Sequence, residues 1–379
     1  MHKLEQKAYF ALAEGGLAMK YPISPLDFQR DFAGFVALSH AIYGRRAVTD
    51  KAMYQWLFAG NIYNPKGVHL FHIARDKDKV IASDGLLPVP LLIAGKRYLA
   101  AWSVKTMTHP DYQRQGIFRA MTEYSLARAR ELGIHLILGF ANSNSYPGYE
   151  KFGWDFLMER RAVLRPLDIE ASLSRKPLLK PLAGMGNSLY QIWDRRRIAA
   201  LAKEAGAIET AILPAAPPAA EAIWSQMKDS FAVLVERNYP YLHWRYNQRP
   251  CQDYQFVLAR DGDKPLAMLV FRITDRRSCI IVDYLGHPRS PALPALLYKT
   301  IQYCQVKAIR HILNSSGSIF DNCLRQYGFK PLTAALANNM LIACPITEID
   351  LAPLQTEANW FFSYGDSELD IDLQPLSAE

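Results

Sequence analysis

A short polar loop between a predicted strand and a predicted helix has the residue types of a phosphate-binding site. It reads His109-Pro110-Asp111-Tyr112-Gln113-Arg114-Gln115-Gly116-Ile117-Phe118-Arg119. A glycine lets the backbone approach a ligand, and the first N–H groups of a helix lack partners within the helix and lie at its positive end. Arg114 and Arg119 add full charges. The loop therefore fits a pyrophosphate, although an ordinary helix start with two surface arginines would look the same.

The elements around this loop can be predicted from the spacing of apolar residues. Segments 68–75 and 80–93 are β-branched and aromatic runs separated by a charged turn, which predicts a hairpin, and 98–108 predicts a third strand. Apolar residues recur at helical spacing over 116–132 and end at Gly133, which is typical of a helix terminus. A buried strand is expected over 134–140.

Two motifs together resemble the GNAT superfamily of acetyl-CoA-dependent N-acetyltransferases. The family signature Gln/Arg-x-x-Gly-x-Gly/Ala is matched by residues 113–118 except at the last place, where Phe118 is bulky and implies different packing of the helix start. Downstream, Asn142 and Tyr149 stand seven residues apart, and Tyr149 begins a sequence similar to the family's Tyr-x-x-x-Gly-Phe, with Trp154 for Phe. The resemblance is specific over residues 68–160.

The resemblance implies acetyl-CoA as co-substrate, with no metal. Backbone groups at the end of the third strand would pair with the pantetheine arm, the loop would hold the pyrophosphate through main-chain N–H groups, and an Asn would fix the pantetheine from the next strand. The residues implied to bind the cofactor are Met107, Thr108, Gln113, Arg114, Gln115, Gly116, Ile117, Phe118, Arg119 and Asn142.

Acetyl transfer to an amine also needs a proton donor for the departing thiolate. Tyr149 is the candidate general acid, because a phenol is protonated at neutral pH, and Tyr146 is the second choice. Alternatively, Tyr149 is a core aromatic residue. The sequence does not identify the general base, because residues 100–108 of the third predicted strand include no carboxylate. Asp84, on the preceding strand, is the nearest acidic candidate, with a structural carboxylate or a water chain as alternatives.

An internal repeat relates the two halves of the chain. Segment 74–82 reappears as 259–267. Four further pairs occur in the same order along both halves, one upstream of this segment and three downstream: 54–56 with 242–244, 108–110 with 286–288, 134–138 with 310–313, and 152–154 with 327–329. The second copy predicts strands 254–260, 266–274, 278–285 and 310–314 with a helix over 292–306. We therefore expect a mixed α/β fold made of two tandem GNAT-like domains.

The second copy lacks the features of a phosphate site. Pro291 and Pro294 have no N–H to donate, and no glycine or equivalent of Tyr149 is present there. One acetyl-CoA per chain is expected. The predicted domains are 1–170 with the acetyl-CoA site, 171–225 as a helical and Pro/Ala-rich linker, and 226–379 as a degenerate GNAT-like domain with an acidic tail. A helix is expected over 188–205 within the linker.

Composition limits the remaining classes. With 379 residues, half of them hydrophobic, the chain can form a packed interior. Its longest membrane candidate, 86–95, is short and contains two prolines, and the N-terminus lacks a signal-peptide pattern, so a cytoplasmic protein without membrane insertion is expected. The net charge of +8 is spread along the chain and favours an anionic small molecule over nucleic acid. Five scattered cysteines indicate reduced thiols.

The sequence thus predicts an N-acetyltransferase acting on a primary amine of a small molecule. The alternatives are an aminoacyl transferase of the peptidoglycan-bridge type that uses aminoacyl-tRNA, and a non-catalytic acetyl-CoA-binding module. The C-terminal segment 359–372 combines aromatic residues with four carboxylates and resembles endings of tandem GNAT-like proteins of surface-polysaccharide synthesis, which points to an amino sugar. We expect it to fold over the cleft and hold a cationic acceptor, with a solvated tail as the alternative.

Overall fold

The computed structural model describes residues 20–44, 50–65, 68–250, 253–274, 277–315, 319–332 and 340–372. Residues 1–19, on which the cytoplasmic expectation depends, lie outside the described residues, as does Cys251. The strands are β1 (Ile23–Pro25), β2 (Phe71–Asp76), β3 (Lys79–Ile93), β4 (Lys96–Thr108), β5 (Leu136–Ala141), β6 (Asp155–Glu159), β7 (Val163–Pro166), β8 (Glu209–Leu213), β9 (Val233–Val235), β10 (Tyr254–Asp261), β11 (Lys264–Thr274), β12 (Ser278–Leu285), β13 (His311–Asn314), β14 (Lys330–Pro331), β15 (Met340–Pro345) and β16 (Trp360–Phe361).

The three longest helices lie at the predicted positions. They are α1 (Phe32–Tyr43), α2 (Lys51–Tyr54), α3 (Ile117–Glu131), α4 (Tyr146–Glu150), α5 (Glu170–Ser174), α6 (Ala183–Ala205), α7 (Ala220–Met227), α8 (Tyr239–Leu242), α9 (Ala292–Val306), α10 (Ile319–Gln326) and α11 (Leu369–Asp372). Helix α9 and strand β12 have the predicted bounds, and α3 begins after Gly116 as expected. Helix α6 begins five residues before the predicted start.

Contacts divide the chain into two compact units. Unit 1 contains the described residues of 20–59, 64–87 and 103–133, and unit 2 contains 60–63, 88–102 and those from 134 onward. Strands β3 and β4 therefore each contribute to both units. In unit 1, β1 pairs antiparallel with β2, and β2 pairs antiparallel with β3. Helix α3 packs on this sheet through Ile117 and Met121, which join Ile23 and Ile81 in a buried cluster.

Unit 2 contains a seven-stranded sheet in the order β14-β7-β13-β12-β11-β10-β8. Helix α9 connects β12 to β13, which are parallel, and the other neighbours are antiparallel. A second set of strands in unit 2 places β15 between β5 and β6, antiparallel to both. The mixed α/β fold expected from the sequence is confirmed.

The strands of unit 2 do not follow the predicted domain boundaries. Strand β7, from the predicted N-terminal domain, pairs with β13, while β15, from the predicted C-terminal domain, pairs with β5. Each half of the sequence thus supplies one strand to the sheet built mainly by the other. The division at 170 and 226, and the duplication that motivated it, stay predictions.

The C-terminal segment is part of the interior of unit 2. Trp360, Phe361 and Phe362 are each at most 3% exposed, and β16 pairs in parallel with β9. Phe362 packs against the stacked rings of Trp102 and Phe140, with ring centroids 5.8 and 5.5 Å away. The aromatic residues therefore bury the segment, as expected, and it is not a solvated tail.

The carboxylates of this segment bind the chain's own arginines. Asp366 accepts from the buried Arg237 at 2.6 Å, and Asp370 forms an ion pair with the buried Arg245. The carbonyl of Gly365 accepts from Arg245, and a Cβ on Gly365 would overlap the Tyr246 hydroxyl. The expectation that these carboxylates hold a cationic acceptor is therefore wrong for Asp366 and Asp370, because both are buried and already paired.

We expect Arg237→Met to destabilise the chain strongly. It would leave Asp283 and Asp366 buried without their shared cation, and breaking a buried ion pair on one side costs about 3–5 kcal/mol. Arg325→Met, at an exposed arginine of α10, is the matched control and should change the free energy of unfolding by less than about 0.5 kcal/mol. Urea unfolding measures both, and equal small effects would contradict the role assigned to Arg237.

Candidate functional site

The loop after β4 is a rigid turn held by its own backbone and by a histidine. The N–H of His109 donates to the carbonyl of Ile81 at 2.8 Å, and His109 Nδ1 accepts from the N–H of Asp111 at 3.2 Å. Residues Pro110–Tyr112 form one turn of 3₁₀ helix. His109 thus has a structural role in the turn.

Two left-handed residues bring the loop to the start of α3. Arg114 has a φ of +60°, and Gly116, which precedes the first helical residue, has a φ of +79°. A Cβ on Gly116 would meet no heavy atom of the described chain within 4 Å, so glycine is favoured there by conformation rather than by crowding. The surface over Gly116 is open to a ligand.

The N-terminus of α3 follows directly on the exposed end of the loop. The first hydrogen bond of the helix runs from the N–H of Ala120 to the carbonyl of Gly116, at 3.0 Å. The N–H groups of the residues before Ala120 have no acceptor within the helix, as at the start of any α-helix. Residues 113–116 are exposed, whereas Ile117 is buried against the sheet. The geometry fits an anion bound by main-chain donors.

Side chains of the loop have separate local partners. Gln115 Oε1 accepts from Lys20 Nζ and the Tyr21 hydroxyl, at 3.1 and 3.0 Å, so this side chain fastens the loop to an earlier segment of unit 1. Arg119 pairs with Glu123, one turn along α3, in an exposed ion pair. Arg114 is exposed, which leaves it as the loop residue whose full charge best suits an anion. Gln113 is exposed, and Phe118 is half-buried.

Strand β4 departs from regular geometry shortly before the loop. Lys105 has a φ of +56° in the middle of the strand, and its carbonyl accepts from the Ser83 hydroxyl at 2.7 Å. Met107 is buried and Thr108 half-buried. Positive φ at a residue other than glycine is strained and is often found beside functional sites. This irregularity is not predicted from the sequence, because the residue types around Lys105 give no signal for it.

Asp84 lies buried between strands β3 and β4 and helix α3. Its carboxylate accepts from Thr106 at 2.5 Å, from Ser103 at 3.2 Å and from the Ser125 hydroxyl of α3. Burial raises the pKa of Asp84, and the hydrogen bonds from these hydroxyls oppose that effect. The geometry supports a role in positioning α3 on the strands that precede its loop. The role of general base stays a prediction.

The hydroxyl residues around Asp84 were missed in the sequence, although one signal was available. Ser125 lies four residues after Met121 and four before Ala129, within the apolar stripe of the predicted helix. A polar side chain on a buried helix face needs a hydrogen-bond partner inside the protein. That requirement connects Ser125 to a polar residue of the sheet below it.

Asn142 and Tyr149 belong to unit 2, at the end of β5 and in α4. Asn142 Oδ1 accepts from the N–H groups of Asn144 and Ser145, both at 3.0 Å, so it holds the turn that leads into α4. Tyr149 is 7% exposed, and its ring lies 4.9 Å from that of Trp154. Tyr146 is more exposed. The roles in pantetheine binding and proton donation stay predictions.

The turn that begins at His287, in the second half of the chain, corresponds to the loop before α3. The two turns begin in the same way and end differently. His287 Nδ1 accepts from the N–H of Arg289 at 3.1 Å, as His109 does from Asp111. At the start of α9, however, the N–H groups of Ala292 and Leu293 bind Ser290, and both residues are buried. This helix start is closed by local hydrogen bonds and packing.

Three further observations concern the described residues as a whole. Among the residues that the structure describes, no cluster of three His, Cys, Asp or Glu side chains has the arrangement of a metal site. Within the same ranges, no helix has both the length and the apolar character needed to cross a bilayer. Cys279, Cys304, Cys323 and Cys344, the cysteines of the described ranges, are thiols and not members of disulfides.

A comparison with protein-family models finds a match over about a third of the chain. Residues 29–157 match the family described as "Acetyltransferase (GNAT) domain". This segment is similar to a GNAT domain. The matched segment includes the loop before α3, Asp84, Asn142 and Tyr149. A comparison with curated protein sequences finds no significant match.

Solved structures share the fold of most of the chain. A GCN5-related N-acetyltransferase from Anabaena variabilis ATCC 29413 has a TM-score of 0.58 at 14% identity, covering 86% of this chain and 73% of that one. A probable N-acyltransferase from Enterococcus faecalis V583 has 0.56 at 12%, covering 86% and 73%. Saccharomyces cerevisiae N-myristoyltransferase, solved with myristoyl-CoA, has 0.56 at 10%, covering 86% and 79%. At these identities the likeness establishes the fold alone.

We expect Asp84→Ala to destabilise the chain, because three hydroxyl groups would lose their buried acceptor. An unsatisfied buried polar group costs about 1–3 kcal/mol. Asp78→Ala, in the exposed turn between β2 and β3, is the control and should lie within about 0.5 kcal/mol of the parent chain. Thermal and urea unfolding report the difference. An unchanged stability for Asp84→Ala would refute the anchoring role.

Proposed function

We propose that the chain is an N-acetyltransferase that transfers an acetyl group from acetyl-CoA to a primary amine of a small molecule. The observation that carries this proposal is the open helix start at Gly116, which lies inside the segment that matches a GNAT domain. The exposed residues 113–116, with the charge of Arg114 and the N-terminus of a helix, fit the pyrophosphate of a CoA ester. An amino sugar is the first acceptor to test.

Individual residues would have separate tasks in this reaction. Gly116 and its neighbours would hold the pyrophosphate, Met107 and Thr108 would pair with the pantetheine arm, and bound acetyl-CoA would supply the thioester. Tyr149 would donate a proton to the leaving sulfur. Asp84 would keep α3, and with it the binding loop, in place on β3 and β4.

The second half of the chain favours one cofactor site rather than two. The N–H groups at the start of α9 are used by Ser290 or absent at proline, and the first residues of the helix are buried. A pyrophosphate would find neither donors nor space there. This contrast supports assigning the cofactor to the loop before α3.

We expect acetyl-CoA to bind with a stoichiometry of one per chain. Gly116→Pro should abolish binding, because it removes a donor and demands a negative φ at a residue whose φ is +79°. Pro291→Gly, at the matching helix start of the second half, is the control and should leave affinity unchanged. Isothermal titration calorimetry measures both. A stoichiometry near two would contradict the proposal for a single site.

Tyr149→Phe should lower kcat by about 10²–10⁴-fold with little change in the KM for acetyl-CoA, if Tyr149 is the general acid. The substitution removes one hydroxyl and keeps the ring against Trp154, so folding should persist. Release of free thiol with a panel of amines measures turnover. A loss under about threefold would assign the proton to another group, with Tyr146→Phe as the next variant.

The same assay separates the catalytic and positioning roles of Asp84. In Asp84→Asn, a general base would be lost while CoA affinity persisted, so kcat alone would fall. If Asp84 positions α3 instead, stability and CoA affinity should fall together with activity.

A further inference from the structure

Helix α6 in unit 2 has an unusual distribution of side chains. Its inward face contains polar residues: Asp194 pairs with the buried Arg165 at 3.0 Å, and Asn187 accepts from the N–H of Ile169 at 2.9 Å. Large apolar side chains lie on the opposite side. The helix is therefore held to the protein partly by buried polar contacts, while its apolar side remains in solvent.

The exposed apolar residues form one continuous stripe. They recur three or four positions apart, which places them on one side of the helix and of the turn before it. Each is between 46% and 92% exposed: Leu178, Leu182, Met185, Leu189, Ile192 and Trp193. We call this set the outward apolar face. Apolar patches of this kind on soluble proteins usually mark a binding surface.

The surroundings of the outward apolar face are strongly basic. Residues 171–203 contain seven Lys or Arg and one acidic residue, Asp194, which is buried and paired with Arg165; the exposed Glu170 and Glu204 stand directly on either side of this range. Lys176 and Lys180 lie near one end, and the exposed Arg195 and Arg196 lie near the other. An apolar stripe flanked by cations is the pattern of a helix that lies in the surface of an anionic membrane.

Charge decides between the candidate occupants. A second copy of the chain would bring one basic face against another, which is unfavourable. Nucleic acid would pair with the cations but would leave the apolar stripe without a partner. An anionic bilayer satisfies both features, and Trp193, 46% exposed on the outward apolar face, is a residue type enriched at the membrane interface.

We propose that α6 docks on an anionic lipid bilayer, with the outward apolar face at the boundary of the acyl chains and the flanking cations among the headgroups. The helix lies on the membrane and does not cross it. This docking does not depend on the reaction that the GNAT domain performs.

The test uses flotation of the full chain with vesicles of phosphatidylglycerol and phosphatidylcholine, and with vesicles of phosphatidylcholine alone. We expect binding to the anionic vesicles that weakens with added salt, and at least tenfold weaker binding to the neutral ones. Leu189→Asp with Ile192→Asp should lower binding at least tenfold. Val306→Asp, at an exposed aliphatic residue at the end of α9, is the matched control and should bind as the parent does.

The contribution of charge has its own pair of variants. Arg195→Ser with Arg196→Ser should weaken binding to anionic vesicles by about twentyfold, because each cation near the surface contributes roughly fivefold. Arg310→Ser with Arg325→Ser, two exposed arginines elsewhere in unit 2, should have little effect. All variants change exposed residues, and unchanged melting curves will show that they fold.

Three results would overturn the proposal. They are failure to float with anionic vesicles, equal binding to neutral ones, and binding that the aspartate variants do not weaken. Light scattering gives a fourth: a dimer that Leu189→Asp with Ile192→Asp dissociates, in a chain that binds no vesicles, would assign the outward apolar face to a second copy.

Discussion

Arg237 is fully buried, and the C-terminal part of unit 2 is organised around its charge. It donates to Asp283 at 3.0 Å, to Asp366 at 2.6 Å, to Ser363 at 3.1 Å and to the carbonyl of Val235 at 2.7 Å. Burying a guanidinium is costly unless every donor is used, and these contacts come from three separate stretches of the chain. The arrangement therefore specifies where residues 363–366 must lie, even where its net contribution to stability is small.

Two carboxylates, Asp283 and Asp366, share this one cation, and the titration of Asp366 reflects its environment. Burial, with a smaller contribution from Asp283 and against the effect of Arg237, raises the pKa of Asp366 to about 7. Since the ordinary value is 3.8, the folded chain holds a proton there that the unfolded chain releases. This contribution to stability is complete below about pH 4 and is lost as the pH rises through 7. Near neutral pH, Asp366 is therefore partly protonated, and Arg237 faces less than two full negative charges.

Local patterns in the sequence predicted the longest strands and the three longest helices, whereas they did not predict which distant strands pair. Apolar spacing located α9 and β12 to the residue, because each is bounded by turn-forming residues. No local pattern distinguishes β7 as a partner of β13, or β15 as a partner of β5, since strand pairing across the chain depends on tertiary packing. The loop before α3 was found because glycine and basic residues coincide there. The hydroxyl partners of Asp84 come from three distant positions and have no common motif.

The positive charge of the chain is a property of its surface rather than of its fold. Arg165, Arg237 and Arg245 are buried, and each is neutralised by a buried aspartate, so these pairs contribute nothing to the net charge of +8. The excess must then reside on exposed Lys and Arg. In a folded protein such charge acts on partners through the field at its surface and does not select the fold. In α6, Asp194 on the inward side holds Arg165, and Glu204 near the C-terminal end accepts from the Tyr327 hydroxyl at 2.8 Å, so neither carboxylate belongs to the outward apolar face.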